Sequence, residues 1–250
     1  MDNDFKNKWW PKADNDDFIE WYNNRDTYTC DLDEIFQKYN CDKANSQMVG
    51  IEYNNYQEPG TYKIPGHNYG EIYEKYFEKI RYDNIKILEF GMGNFPTNGY
   101  SMRAFLEYFP NATLTYLDWS YSNFNFNFEF DNSRVTFHKV DQSSIEDLNL
   151  FVETCGETYD IIIDDCSHKG DYQYNTFITF FPKILKNGGY YFIEDIHDSE
   201  FLQYLPKIYD NLNNGNVNYQ NIYENLNLGL SEIRLYRSLI CFEKNKKIVR

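Results

Sequence analysis

The chain has 250 residues, enough for one large domain or one domain with an added segment, and carries a formal net charge of −15 with 19% aromatic residues. No basic cluster longer than the "EKNKK" of residues 243–247 offers the positive surface that binding phosphates requires, which excludes nucleic acid as a partner. No apolar run approaches the roughly 18 residues that span a bilayer, no secretory leader opens the chain, and five scattered cysteines form no CxxC pair, so the expectation is a cytoplasmic protein with reduced thiols and no membrane partner.

Residues 1–66 read as a polar N-terminal extension and cap segment. Within it "DLDEIFQKY" (31–39) has helical spacing, with Asp31 as candidate N-cap, and "NSQMVGIEYNNYQEPGTYKIPG" (45–66) reads as a long loop rich in turn formers. His67 opens a second helix, "YGEIYEKYFEKI" (69–80), in which Ile72, Tyr73, Tyr76, Phe77 and Ile80 repeat at helical spacing. From residue 85 short apolar runs take over: "IKILEFG" (85–91), "TLTYLDW" (113–119), "VTFHKVD" (135–141), "YDIIID" (159–164) and "GGYYFIED" (188–195). Helical stretches, "SMRAFLEYF" (101–109) and "YNTFITFFPKIL" (174–185), separate some of them. The tail "EIRLYRSLICFEKNKK" (232–247) reads as one long strand with no helix after it. Near-continuous apolar strands alternating with helices predict an α/β domain over 67–250: a mostly parallel sheet closed by an antiparallel C-terminal strand.

Ligands of such sheets bind beyond the carboxyl ends of the strands, and all five runs end in acids: Glu89, Asp118, Asp141, Asp164-Asp165 and Glu194-Asp195. Gly91 and Gly93 permit a tight turn and close backbone approach to a ligand. A third glycine suited to a pyrophosphate is missing, and Asp118 stands where ribose hydroxyls would be bound, so the pattern suits S-adenosylmethionine better than NAD. Asp165 and Glu194 are 29 residues apart, the length of one βαβ unit. On neighbouring strands Asp165, Glu194 and Asp195 would lie roughly 5 Å apart and repel unless a cation joined them; oxygen ligands of this kind suit Mg²⁺. His168, three residues beyond Asp165, is the candidate general base, since imidazole exchanges protons near neutral pH. His138 lies mid-strand and reads as structural, and His197 is a weaker candidate.

The stretches "KYNCDK" (38–43), "HNYGEIYEKYF" (67–77), "ILEFGMG" (87–93), "GYSMRAFLEYFPNATLTYLD" (99–118), "DIIIDDCSH" (160–168), "GGYYFIEDIHDS" (188–199) and "LYRSLICFEK" (235–244) resemble the class I S-adenosylmethionine-dependent methyltransferases, of the kind that methylate macrolide sugars and surface polysaccharides. The resemblance implies a Rossmann-like seven-stranded sheet, cofactor contacts at Tyr69, Glu89, Gly91, Gly93, Ser101, Asp118, Asp141, Gln142 and Asp164, and Mg²⁺ held by Asp165, Glu194 and Asp195. Asp165 and His168 would be catalytic, with His168 as the base. It further implies a homo-oligomer and an acceptor hydroxyl on a small molecule or saccharide: a nucleotide-sugar, a polysaccharide precursor, including a phosphoramidate modification, or a glycosylated natural product. Where the family carries glycine this chain has Cys166, so that turn must either hold a less permissive backbone or differ. Two other readings stand beside this one: an NAD-linked oxidoreductase or epimerase on the same sheet, and a catalytically silent S-adenosylmethionine-binding partner subunit.

Overall fold

The computed structural model describes residues 30–44, 48–53, 60–93, 99–120, 126, 128–196, 200–213 and 228–245. His197, residues 94–98 after the paired glycines and residues 1–29 lie outside them. The chain divides into two units, Met1–Asp83 with Asn94–Pro110, and Asn84–Gly93 with Asn111–Arg250. Residues 67–83 and 99–110 therefore group with the N-terminal residues.

The first unit holds helices α1 (Asp31–Lys38), α2 (Gly70–Phe77, continued by a 3₁₀ turn at Glu78–Ile80) and α3 (Tyr100–Tyr108). Their apolar faces meet in an aromatic core. Phe36, Tyr73, Phe77, Phe105 and Phe109 are buried, the Tyr73 and Phe77 rings stack at 5.0 Å, and Phe36 meets Phe105 edge-on at 5.6 Å. The expected cap at Asp31 is not found: Cys30 is the N-cap and Asp31 the first helical residue. The Asp31 carboxylate instead pairs with Arg81 at 2.7 Å, while that guanidinium lies over the Tyr108 ring and donates to the Tyr108 carbonyl. The expected loop over 45–66 is also corrected. Strands β1 (Met48–Tyr53) and β2 (Gly60–Pro65) pair antiparallel from Met48 opposite Pro65 to Tyr53 opposite Gly60. The strands carry the β-branched and aromatic residues Val49, Ile51, Tyr53, Thr61, Tyr62 and Ile64, which favour extended backbone, while of the turn formers that suggested a loop only Asn54, Asn55 and Pro59 fall between them.

The second unit is built on strands β3 (Lys86–Phe90), β4 (Thr113–Asp118), β5 (Val135–Lys139), β6 (Tyr159–Asp164), β7 (Leu185–Ile193), β8 (Leu230–Tyr236) and β9 (Leu239–Lys244). They form one seven-stranded sheet in the order β5-β4-β3-β6-β7-β9-β8, parallel from β5 to β7 and antiparallel at β9 and β8. The expected Rossmann-like sheet is therefore present. Its tail is a hairpin and not one strand: Arg237 and Ser238 turn the chain, with Ser238 in left-handed backbone (φ 60°), and β9 inserts between β7 and β8. Strand order reverses between β3 and β6, so the switch point that opens a ligand crevice lies at their carboxyl ends.

Helices α4 (Ile145–Thr154), α5 (Gly170–Lys183) and α6 (Leu205–Asn213) complete this unit. Phe151, Phe177, Phe180 and Phe181 from α4 and α5 pack with Leu88, Phe90, Ile162, Tyr191, Ile193 and Phe242 of the sheet in one core. Among the described residues no helix is long and apolar enough to cross a membrane. One polar group ties the last strand into this core. Buried Lys244 on β9 donates to the carbonyls of Phe181 (2.9 Å) and Pro182 (2.9 Å) in the last turn of α5, where the helix dipole is negative, and of Leu185 (2.6 Å) at the start of β7. Replacing it leaves these carbonyls without their donor. Lys244→Met is expected to lower the unfolding free energy by about 1–3 kcal/mol, read as a lower urea midpoint with unchanged slope; an unchanged midpoint would contradict this role.

Candidate functional site

Strand alternation sorts the acids that the sequence places at the strand ends. In the parallel register Phe90 lies beside Asp164 and Asp164 beside Ile193, while Glu89 lies beside Ile163. Side chains of one row share a face, so Asp164 points to the face that carries the Phe90 and Ile193 core and buried Glu89 to the other. The acids thus do not form one row.

At the switch point the chain ends of β3 and β6 are in contact. Gly91 has φ 109° and Gly93 φ 71°, both left-handed. A Cβ on Gly91 would sit 1.8 Å from the Asp165 carbonyl oxygen and 2.9 Å from the Cys166 Cα, a separation that no side chain survives. Gly91 is therefore required first by the loop leaving β6. The amide of Asp165 donates to the Phe90 carbonyl at 2.9 Å and that of Gly91 to the Leu117 carbonyl at 2.9 Å, extending the ladder beyond the strands. Buried Asp118 accepts from the Met92 amide (3.1 Å) and the Ser120 amide (3.1 Å), so its carboxylate shapes the glycine turn. Trp119, next in the chain, is exposed.

Asp164 is fully buried. It accepts from Gln142 Nε2 at 2.7 Å and from the Tyr191 hydroxyl at 3.4 Å. Burial pushes its pKa up to about 7 against the pull of those bonds, and the charge of Asp165 adds to the rise. Gln142, also buried, turns its carbonyl end to Ser167, accepting from the amide (3.1 Å) and the hydroxyl (2.6 Å). Asp141 turns its carboxylate back on the next residues, accepting from the Ser143 amide (2.8 Å) and hydroxyl (2.7 Å). Ser167 is a site residue that sequence reasoning missed; the one signal for it was its place between two candidate residues, in the loop after a strand.

The loops after β6 and β7 bring together Asp165, His168 and Asp195, whose nearest ligand atoms all lie within 4.8 Å of one another. His168 Nε2 is 3.7 Å from Asp195 Oδ2. His168 (φ 57°) and Asp195 (φ 54°) are both in left-handed backbone, at a cost of about 1 kcal/mol each. Strain of this kind persists where the surroundings over-determine it, and it concentrates at functional sites. Cys166 is not among the residues with positive φ, so the turn differs from one that needs glycine, and its left-handed residue is His168. Burial, then the neighbouring carboxylates, push the Cys166 thiol well up, which keeps it protonated and unreactive. Two carboxylates and an imidazole at this spacing fit a divalent cation of the Mg²⁺ or Mn²⁺ kind.

Glu194, expected as a third ligand, is not a member of that group. It is buried, its amide donates to the Asp164 carbonyl (2.9 Å), and its own carbonyl accepts from Gln173 Nε2 (3.1 Å). Tyr69 and Ser101 belong to the first unit. Tyr69 is fully buried at the N-cap of α2, its ring edge-on to His67 (5.3 Å) and Tyr73 (6.4 Å), and Ser101 lies in the first turn of α3. His67 precedes the helix it was expected to open. His138 faces Phe151 edge-on at 5.3 Å and burial lowers its pKa, as befits a structural residue.

No family model matches the chain. It is similar to curated sugar O-methyltransferases. One is the 8-demethyl-8-(2-methoxy-alpha-L-rhamnosyl)-tetracenomycin-C 3'-O-methyltransferase of Streptomyces olivaceus, 30% identical over 133 residues, 52% of this chain and 32% of that protein. Another is the L-olivosyl-oleandolide 3-O-methyltransferase of Streptomyces antibioticus, 28% identical over 158 residues, 60% of this chain and 37% of that protein. The matches thus span about a third of those relatives' lengths. Among solved structures the fold matches the MycE methyltransferase of the mycinamycin biosynthetic pathway in complex with Mg and SAH, with TM-score 0.66 and 20% identity over 89% of this chain and 56% of that one. The likeness is one of fold, a Rossmann-like sheet.

The contact at Gly91 is testable against a control. Gly156 has φ 63° but nothing within 4 Å of an added Cβ. Gly156→Ala should cost about 1 kcal/mol of stability, the left-handed penalty alone, whereas Gly91→Ala adds the clash and should cost about 3 kcal/mol. Equal costs in chemical denaturation would contradict the packing of Gly91 on Asp165.

Proposed function

We propose that the chain is an S-adenosylmethionine-dependent, divalent-cation-dependent O-methyltransferase whose acceptor is a sugar hydroxyl of a glycosylated small molecule. The observation that carries this reading is the convergence of Asp165, His168 and Asp195 at the sheet's switch point, against the turn formed by Gly91. The likeness to sugar O-methyltransferases and the fold shared with a methyltransferase complexed with Mg and SAH support the same reading.

When bound, S-adenosylmethionine supplies an electrophilic methyl group and the cation lowers the pKa of an acceptor hydroxyl. Gly91, Gly93 and Asp118 form the cofactor turn, and Trp119 adds an exposed aromatic plane at the same strand end. Asp165 and Asp195 would hold the cation. His168 would take the acceptor proton at Nε2. Alignment of the acceptor oxygen behind the methyl group supplies much of the rate in such transfers, so the residues that fix these loops matter as much as the base.

Methyl transfer to a panel of glycosylated macrolides, nucleotide-sugars and saccharides, followed by mass spectrometry with Mg²⁺ and with EDTA, tests the reading. Activity should require the cation, and Asp165→Asn should lose it by about 100-fold or more while binding S-adenosylhomocysteine as the parent does. Full activity of that variant in EDTA would refute the scheme. His168→Asn separates base from ligand: methyl transfer should fall about 100-fold or more with Mn²⁺ affinity retained. Loss of Mn²⁺ binding would instead make His168 a ligand.

A further inference from the structure

The loop that carries Asp165 and His168 belongs to no helix or strand, yet it must hold both residues in place. Its backbone bond to the Phe90 carbonyl fixes Asp165 only. Two residues further on, Ser167 is held by both of its donors, amide and hydroxyl, on a single acceptor, the Gln142 Oε1. Gln142 follows β5, at the far edge of the parallel strands, and its amide could rotate to present either end. What fixes its orientation is Asp164, whose Oδ1 accepts from Nε2 at 2.7 Å and so turns the carbonyl end toward Ser167. Asp164 is in turn held by the Tyr191 hydroxyl from β7. The chain of bonds therefore runs from β7 through β6 and the loop after β5 to the loop that bears His168. Tyr191, Asp164 and Gln142 are buried, so water does not compete for these bonds.

We propose that Gln142 is a positioning residue, a brace oriented by Asp164 that sets the spacing between Asp165 and His168 by holding Ser167, and not a cofactor contact. The inference rests on the cation-dependent reading of the site given above. It makes the buried Asp164 part of the same brace: its carboxylate works through an amide and a serine. Outer partners of this kind typically change metal affinity by about 10–100-fold when removed.

The test is electron paramagnetic resonance titration with Mn²⁺ alone, beside calorimetric titration with S-adenosylhomocysteine, on the parent chain and on Gln142→Leu, Ser167→Ala and Ser167→Thr. Ser167 is partly exposed, so its variants retain the fold, which circular dichroism checks. Ser167→Ala and Gln142→Leu should weaken Mn²⁺ binding by about 10-fold or more, Ser167→Thr, which keeps the hydroxyl, should restore it, and S-adenosylhomocysteine binding should stay unchanged in all three. Parental Mn²⁺ affinity in the Ala and Leu variants overturns the brace alone. Loss of S-adenosylhomocysteine binding in Gln142→Leu overturns it in favour of a cofactor contact. Absence of Mn²⁺ binding by the parent chain overturns the cation reading and the brace with it.

Discussion

The carbonyl oxygen of Asp165 occupies the space in which any side chain at residue 91 would begin. That close approach locks the exits of β3 and β6 together at the point where the strand order reverses, and much of the site follows from it. With Gly91 under the β6 loop, the Asp165 amide reaches the Phe90 carbonyl and the peptide ladder continues past the last regular residues. The glycine turn and the loop that carries Asp165 and His168 are in consequence packed backbone against backbone. A glycine that sequence logic assigns to a cofactor is demanded already by the fold, which explains why its replacement should be felt without any ligand present.

From this junction outward, rigidity is supplied by buried polar bonds. Asp118 holds the glycine turn through the Met92 amide, Asp164 holds Gln142, and Gln142 holds Ser167. Each carboxylate buried for this purpose carries a desolvation cost, visible in the raised pKa of Asp164, and hydrogen bonds to its oxygens offset it. Within such a frame the left-handed backbone at His168 and Asp195 is sustainable.

The parallel strands were legible because apolar runs of five or six residues ending in acids have few other interpretations, and β3 to β6 fall where those runs lie. The pairing of β6 with β7, on which the convergence of Asp165 and Asp195 depends, meets the condition that the spacing of one βαβ unit left open. What the residues could not reveal was direction. Glu89 and Asp164 end adjacent strands alike, yet the register sends them to opposite faces. The hairpin at 48–65 was hidden because glycine, proline and asparagine are interspersed with the β-formers, with Gly50, Gly60 and Pro65 inside the strands themselves. The tail read as one strand because Arg237-Ser238 is a turn with no glycine or proline to mark it. Ser167 was invisible as an anchor, since its partner Gln142 lies 25 positions earlier in the chain.

The central claim is that the end of β3 is a cofactor site. Calorimetric titration of the purified chain with S-adenosylhomocysteine, once in Mg²⁺ and once in EDTA, tests it most directly. Saturable binding is predicted in both conditions, since the turn of Gly91 and Gly93 is held by a protein hydrogen bond from the Met92 amide to Asp118. No binding in either condition would contradict the claim and return the chain to a sheet whose clustered acids serve another ligand.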